Sequence, residues 1–492
     1  MNRVVTTAIL AAVLAHIPAS VQAGPTPTSS PPPAVRGLPT ETKPWSGDFD
    51  GMLERRAIRV LVPYSRSLYF NDRGRERGIA ADTVRGFETW LNRKYAKQLG
   101  NRPLTVMVVP RTRDRLLQDV ADGLGDLAVG NLTITEARLR VLDFISDPNL
   151  SGVNEVVVTG PRSPGISSAD DLAGRTVQVR RSSSYFESLG ELNARLTGEG
   201  RPAVKIVLIP DALEDEDLME MLDAGILETI VVDDWKARMW AQVLPRIRVN
   251  AQAVLRSSGK IGWGIRKSSP ALAAEVTAYL KAEGTRGIIA GRVNQYMRRI
   301  KGLKDPTAAA ERNRFEQMIA LFAKYGEQYR FDPLMLAAQG YQESKLNQDA
   351  RSSVGAIGVM QIMPATGQTL GVGDIHLLEP NIHAGAKFMD QLMTKYFPNA
   401  RFDEVNRTLF AFASYNAGPA HIAKMREAAK ESGLDPDQWF NNVEIVTAQR
   451  IGIETPTYVR NIYKYYVAYK LMEDARAVEH RAAEGALPGI DK

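Results

Sequence analysis

Glu343 is the residue whose local sequence best suits proton transfer. Asp332-Pro333 supplies an N-cap and a proline at N1, opening a helix that runs through Leu334-Met335-Leu336 to Glu343. At 100° per residue its apolar side chains surround most of the axis, which predicts a buried helix. Gln339 and Glu343 share one side of it, with Gly340 between them leaving space for a ligand. A carboxyl at the C-terminal end of a buried helix meets the negative end of the dipole and partial desolvation. Both disfavour ionisation, the condition a general acid needs. Taken alone, a glutamate at a helix end is more commonly solvated.

Neighbouring stretches change that balance. Arg351 to Thr366 joins a glycine-containing loop to a new helix beginning at Pro364. Gly355 and Gly358 permit tight turns close to a substrate, and Ser352 and Gln361 carry hydrogen-bonding groups suited to a polysaccharide. Ser414-Tyr415-Asn416-Ala417-Gly418-Pro419 ends a helix, and Glu454-Thr455-Pro456-Thr457-Tyr458-Val459 starts another with Thr455 as N-cap. Read singly, these are helix punctuation.

Read in order, Glu343-Ser344, Gly358 to Pro364, Ser414 to Gly418 and Glu454 to Val459 resemble the goose-lysozyme-like catalytic domain of soluble lytic murein transglycosylases. The resemblance covers the last third of the chain. It implies that Glu343 is the catalytic acid and base, and that Ser352, Gln361, Met363, Tyr415 and Glu454 occupy substrate-contacting or acid-orienting positions. Tyr458 joins them as a candidate inside the last motif, and Asn381 fits the pattern as a structural helix start. Ser414 stands where the family usually has alanine. In the last helix, Val459, Ile462, Tyr463 and Tyr466 follow helical spacing and are expected in the core. The implied reaction cuts the β-1,4 bond between N-acetylmuramic acid and N-acetylglucosamine in peptidoglycan and leaves a 1,6-anhydromuramoyl end. The muramoyl O6 then serves as nucleophile, so one carboxyl suffices where glycoside hydrolysis ordinarily uses two.

The whole chain must deliver and position that site. Its 492 residues predict two to four domains. Lys+Arg 62 against Asp+Glu 56 leaves +6, too mild a surplus for a nucleic-acid binder. With no cysteine there is no disulfide, thiolate metal site or cysteine nucleophile, and the five histidines show no metal-ligand spacing; no cofactor is expected. Residues 1–23 read as a cleaved export signal, with Arg3 before an apolar run and Val21-Gln22-Ala23 at the cut. Residues 24–50 read as a Pro-rich spacer. From 51 to 300, short β-rich runs alternate with helical stretches, and from 301 to 492 the periodicity is helical. The fold class expected is therefore multidomain: an α/β two-lobed binding-protein-like module followed by an all-α lysozyme-like module.

The first half carries its own resemblance. Gly125 to Gly130, Leu132 to Arg138, Val141 to Pro148, Asp171 to Val177 and Ile261 to Pro270 resemble the family 3 extracellular solute-binding proteins of the polar amino-acid class. By position, Arg138 matches the arginine that grips a ligand carboxylate, Thr133 a neighbouring hydroxyl and Asp233 the acid that meets an amino group; an arginine in a structural salt bridge is the alternative. The second-lobe turn, usually glycine followed by Ser or Thr, reads Arg181-Ser182-Ser183-Ser184 here. The ligand implied is an amino acid or a muropeptide. The order of signal, binding module and catalytic module resembles membrane-bound lytic murein transglycosylases of type F, implying a periplasmic protein peripheral to the outer membrane. A lysozyme-like hydrolase, and a ligand receptor with an inactive second module, are the competing readings.

Overall fold

The computed structural model describes residues 44–147, 152–283 and 304–485, with side chains to 477. The export signal and residues 24–43 of the spacer lie outside the described residues, as does the centre of the seam between the halves. The chain divides into two compact units, Arg314–Val446 and Lys43–Asn313 with Thr447–Lys492.

In the larger unit, strands β1 (Ala57–Pro63), β4 (Thr105–Arg111), β5 (Leu127–Thr133), β6 (Asp143–Ile145) and β12 (Ile261–Ile265) form one sheet in the order β4-β1-β5-β12-β6. A small β2–β3 hairpin (Phe70–Asp72, Arg75–Arg77) stands apart. A second sheet, ordered β11-β7-β10-β8-β9, uses β7 (Val153–Thr159), β8 (Thr176–Val179), β9 (Lys205–Leu208), β10 (Thr229–Asp233) and β11 (Arg248–Gly259). β1 is parallel to β4 and β5, and from Ile58 to Pro63 every residue is buried. A run buried throughout, apolar but for Arg59, which pairs with Asp126 at 2.9 Å, belongs to a strand covered on both faces. One cover is the helix Ile79–Lys94, whose Ala80, Val84, Phe87 and Leu91 recur at helical spacing and face inward. Phe87 meets Trp263 edge-to-face at 5.4 Å. β11 leads through Lys260 directly into β12, so one crossing between the two lobes is a single residue long.

The smaller unit is built on helices: residues 314–329 of Ala309–Tyr329, then Pro333–Ser344, Pro364–Leu370, Leu378–Tyr396, Glu404–Ala417 and Pro419–Glu431. Every described strand ends at or before Ile265, and beyond it the described residues show only isolated β-bridges, in agreement with an all-α second half. Phe322, Leu336, Tyr341, Phe410 and Trp439 form buried parts of its core, with Trp439 edge-on to Phe410 at 5.6 Å.

The last helix, Glu454–Gly485, differs from the sequence expectation twice. It already includes Glu454, so Thr455 and Pro456 sit in its first turn instead of at N-cap and N1. Its apolar buried side is Val459, Ile462, Tyr465 and Tyr469, whereas Tyr463 and Tyr466 are half-buried. Between them two cations are buried. Lys464 reaches Asp217 at 2.8 Å and Glu220 at 2.6 Å, and Arg460 reaches Asp217 at 3.3 Å and the Ala212 carbonyl at 2.8 Å. Those carboxylates sit on the helix Asp215–Ala224, and Arg66 from the loop after β1 shares them at 3.2 and 2.8 Å. Burial opposes charge on Asp217, but Lys464, Arg460 and Arg66 outweigh it and hold the carboxyl far below the ordinary carboxylate range. Lys464→Met takes one buried cation from Asp217 and Glu220, which keep Arg66 and, at Asp217, Arg460, and removing one member of such a cluster costs about 3 kcal/mol. The melting temperature of the variant should fall by about 10 °C. A fall of under about 2 °C would show the cluster to be dispensable.

Candidate functional site

The helix Pro333–Ser344 forms as its sequence predicts. Asp332 accepts from Leu334 N–H at 2.7 Å, Pro333 takes N1, and residues 335–341 are all buried. Glu343 emerges half-buried in the last turn. What draws a loop against that turn is the next residue: Ser344 Oγ lies 2.9 Å from the Val359 carbonyl and 3.2 Å from the Gly340 carbonyl, and it accepts from Asn347 N–H at 3.0 Å. Gly340 permits the approach, since a Cβ there would stand 2.9 Å from Val359.

The loop itself is held from behind. Asn381, fully buried near the start of Leu378–Tyr396, accepts from Met360 N–H at 2.8 Å and donates to the carbonyls of Ile357 at 2.9 Å and Ile375 at 3.0 Å. Gly358 has φ +77, and any Cβ on it would fall 2.5 Å from the Asn381 amide, so glycine is required. Ile357 and Ile362 exchange backbone hydrogen bonds at 2.9 and 3.0 Å, closing the turn.

Ser352 and Gln361 lie in this loop, but their side chains brace it. Ser352 Oγ accepts from Ala356 N–H at 2.9 Å, and Gln361, in the left-handed region at φ 48, donates its amide to the Gly358 carbonyl at 2.9 Å. Met363 is the half-buried residue preceding the helix Pro364–Leu370. Tyr415, near the end of Glu404–Ala417, donates to the Met360 carbonyl at 2.6 Å. Burial, followed by the nearby Glu343 charge, pushes its hydroxyl well above the usual tyrosine range, so it is a neutral donor at physiological pH. The unit Arg314–Val446 thus gathers Glu343, Ser352, Gln361, Met363 and Tyr415. Glu454, exposed, and Tyr458, half-buried, lie on the last helix in the other unit. Ser344 and the Met360 carbonyl had no assigned role in the sequence reading. Ser344 stands in the quoted motif, whereas nothing in the sequence marks a backbone carbonyl.

In the first module, the places assigned to a ligand are already engaged. Arg138 donates to the Thr133 carbonyl at 2.8 Å and, across the lobes, to the Ser182 carbonyl at 3.1 Å; the groups it grips are carbonyls and not a carboxylate. Thr133 is buried at the end of β5. Asp233, fully buried, accepts from Asn131 of the opposite lobe, and Lys236 Nζ stands 4.0 Å from it. Lys236 and Arg180 both pair with Asp215, and Arg113 of the first lobe meets Glu214 at 2.8 Å. Ser65 donates to Glu216 at 2.7 Å. The signal for these unassigned residues was the run Glu214-Asp215-Glu216-Asp217, which reads as a solvated helix start until its partners are seen. A cavity of about 420 Å³ is lined from both lobes by Thr135, Glu136, Arg140, Glu187 and Arg256.

Comparison with known proteins agrees with this division. Residues 70–299 match the bacterial extracellular solute-binding proteins, family 3, and residues 320–437 match the transglycosylase SLT domain. The chain carries both domains, in the order found in the two-module lytic murein transglycosylases to which it is similar. Its relatives include the membrane-bound lytic murein transglycosylase F of Pseudomonas fluorescens, 27% identical over 464 residues, 89% of this chain and 90% of that one. That of Desulfosudis oleivorans is 28% identical over 413 residues, 79% of this chain and 86% of that one. Among solved structures, an arginine-bound, truncated arginine-binding protein from T. maritima is 22% identical at TM-score 0.38, covering 47% of this chain and 98% of its own. The amino acid ABC transporter substrate-binding protein AbpA from Streptococcus pneumoniae is 15% identical at TM-score 0.41, covering 51% and 98%. The relatives are named membrane-bound, and no helix among the described residues is long and apolar enough to cross a membrane.

Two variants test how this transglycosylase holds its loop and its cleft. Asn381→Leu leaves the buried Met360 amide without its acceptor, while the Ile357 and Ile375 carbonyls keep Ile362 N–H and the Gln348 amide, and should lower stability by about 2 kcal/mol, read by thermal melting. An unchanged melting temperature would show that the loop is held by other means. Burial raises the Asp233 pKa to about 6, with Lys236 opposing and Asp215 adding to the rise. The folded state then holds this proton to higher pH than the unfolded chain does, so the carboxyl costs stability as pH climbs through about 6 and costs little near pH 4. Asp233→Asn should therefore raise the melting temperature at pH 7.5, and the gain should shrink towards pH 4; a gain independent of pH would assign the effect to shape.

Proposed function

We propose that the second module cleaves the β-1,4 bond between N-acetylmuramic acid and N-acetylglucosamine in peptidoglycan, with Glu343 as both acid and base. The observation that carries this reading is the half-buried Glu343 at the end of a buried helix, against a loop held by Ser344 and Asn381 and beside a neutral Tyr415. Glu343 gives its proton to the glycosidic oxygen as the bond from muramoyl C1 breaks. The carboxylate then takes the proton of the muramoyl O6 hydroxyl while O6 bonds to C1, closing the 1,6-anhydro ring. Glu343 ends protonated, as it began, and no water is consumed. The intramolecular nucleophile removes the entropic cost of placing a water. The Met360 carbonyl orients the Tyr415 hydroxyl, and a braced loop keeps Gln361 and Met363 in fixed places along the glycan. Ser352 joins the substrate-contacting set by its motif position.

The first module, on this reading, takes a small ligand carrying both carboxylate and ammonium, an amino acid or a muropeptide, through Thr133, Arg138 and Asp233. The ligand must displace the carbonyls from Arg138 and compete with Lys236, so it binds an opened form of the cleft. Binding there shifts the catalytic module between less and more active states. The protein, freed of residues 1–23, works in the periplasm, peripherally at the outer membrane, where its substrate lies.

Glu343→Gln keeps the shape of the side chain and removes the titratable proton. It should lower release of anhydromuropeptides from sacculi by at least about 100-fold, as expected for loss of a general acid. Wild-type release by this variant would remove Glu343 from the mechanism.

A further inference from the structure

Gln339 lies one helical turn before Glu343, on the same side of the helix Pro333–Ser344. It is wholly buried, and neither its amide nitrogen nor its amide oxygen is hydrogen-bonded by any described residue. A buried amide without partners costs free energy that a methionine of similar length would not, so its presence needs an explanation. A second such atom lies on the helix Glu404–Ala417. Ser414 Oγ, also buried, has no partner among the described residues, and Ser414 directly precedes Tyr415, whose hydroxyl lies in the field of Glu343. Ser414 is also the position where the resembled family usually has alanine. Side chains on a helix slope towards its N-terminus, which carries the Glu343 carboxyl back over the turn that begins at Gln339.

We infer that Gln339 and Ser414 are positioning residues that hold an internal water behind Glu343, through which the amide fixes the carboxyl's orientation towards the glycan. A buried water ordinarily makes about three hydrogen bonds, and the Gln339 amide, the Ser414 hydroxyl and the inner oxygen of Glu343 supply that number. The two donors and acceptors of the amide serve either protonation state of Glu343, since a water can turn to donate to a carboxylate or accept from an acid.

The inference rests on Glu343 being the acid, and the test separates the two claims. In the full-length protein, Gln339→Met and Ser414→Ala are each assayed for kcat and KM on sacculi and for melting temperature, beside Glu343→Gln. Gln339→Met should melt at or above the wild-type temperature while kcat falls roughly tenfold or more and KM stays within about twofold. A purely structural residue would instead lower the melting temperature. Ser414→Ala, a small deletion that carries the test even where the methionine variant fails to fold, should lower kcat with an unchanged melting temperature. Wild-type kcat in either variant overturns the inference while leaving Glu343 in place. Wild-type kcat in Glu343→Gln overturns the acid assignment and the inference with it.

Discussion

The catalytic module depends on one close approach, that of the loop around Gly358 to the end of a buried helix. Ser344 ties the Val359 carbonyl to that helix end, and Asn381 holds Ile357 and Met360 from the other side. Each tie alone is worth little beyond a single hydrogen bond, but every one of them is made to backbone, so they fix a path and not merely a side chain. Two glycines make the path possible, Gly340 because no Cβ fits and Gly358 because its φ is positive. With the loop in place, the Met360 carbonyl turns the Tyr415 hydroxyl, and the end of the Glu343 helix gains a rigid polar wall. Preorganised groups of this kind need no rearrangement when charge develops, which is what a single-carboxyl mechanism requires.

The first module obeys a different constraint. Its two lobes are joined by buried charges, with Arg66, Arg113, Ser65 and Asn131 of one lobe meeting carboxylates of the other. Buried ion pairs of this density contribute less to stability than to register, because desolvation offsets much of the attraction. They specify one closed arrangement of the lobes. The same carboxylates Asp217 and Glu220 also receive Arg460 and Lys464, so the seating of the last helix and the closure of the lobes draw on common partners.

Much of this was legible in the sequence where local rules act alone. Asp332-Pro333 capped its helix, Pro364 opened another, the β-rich runs became the two sheets, and Glu343 came out at a helix end, because capping, proline and periodicity are decided within a few residues. Long-range partners were not legible. Ser352 and Gln361 look like ligand contacts from their types, yet their polar atoms close the loop on itself, an outcome set by the turn at Gly358. The apolar stripe expected on the last helix took in Tyr463 and Tyr466 and passed over Arg460 and Lys464. They are buried because an acidic helix some 240 residues earlier meets them, a pairing no local pattern announces. Arg138 was legible as an arginine of the cleft, gripping a ligand carboxylate or held in a salt bridge, but not as one gripping carbonyls.

The central claim is that the sugar's own hydroxyl, and not water, closes the reaction at muramoyl C1. Digestion of sacculi in oxygen-18 water tests it directly. The account predicts anhydromuramoyl ends, one water lighter than reducing ends and free of oxygen-18 at C1. Reducing ends carrying one oxygen-18 atom would contradict it and make the enzyme a hydrolase.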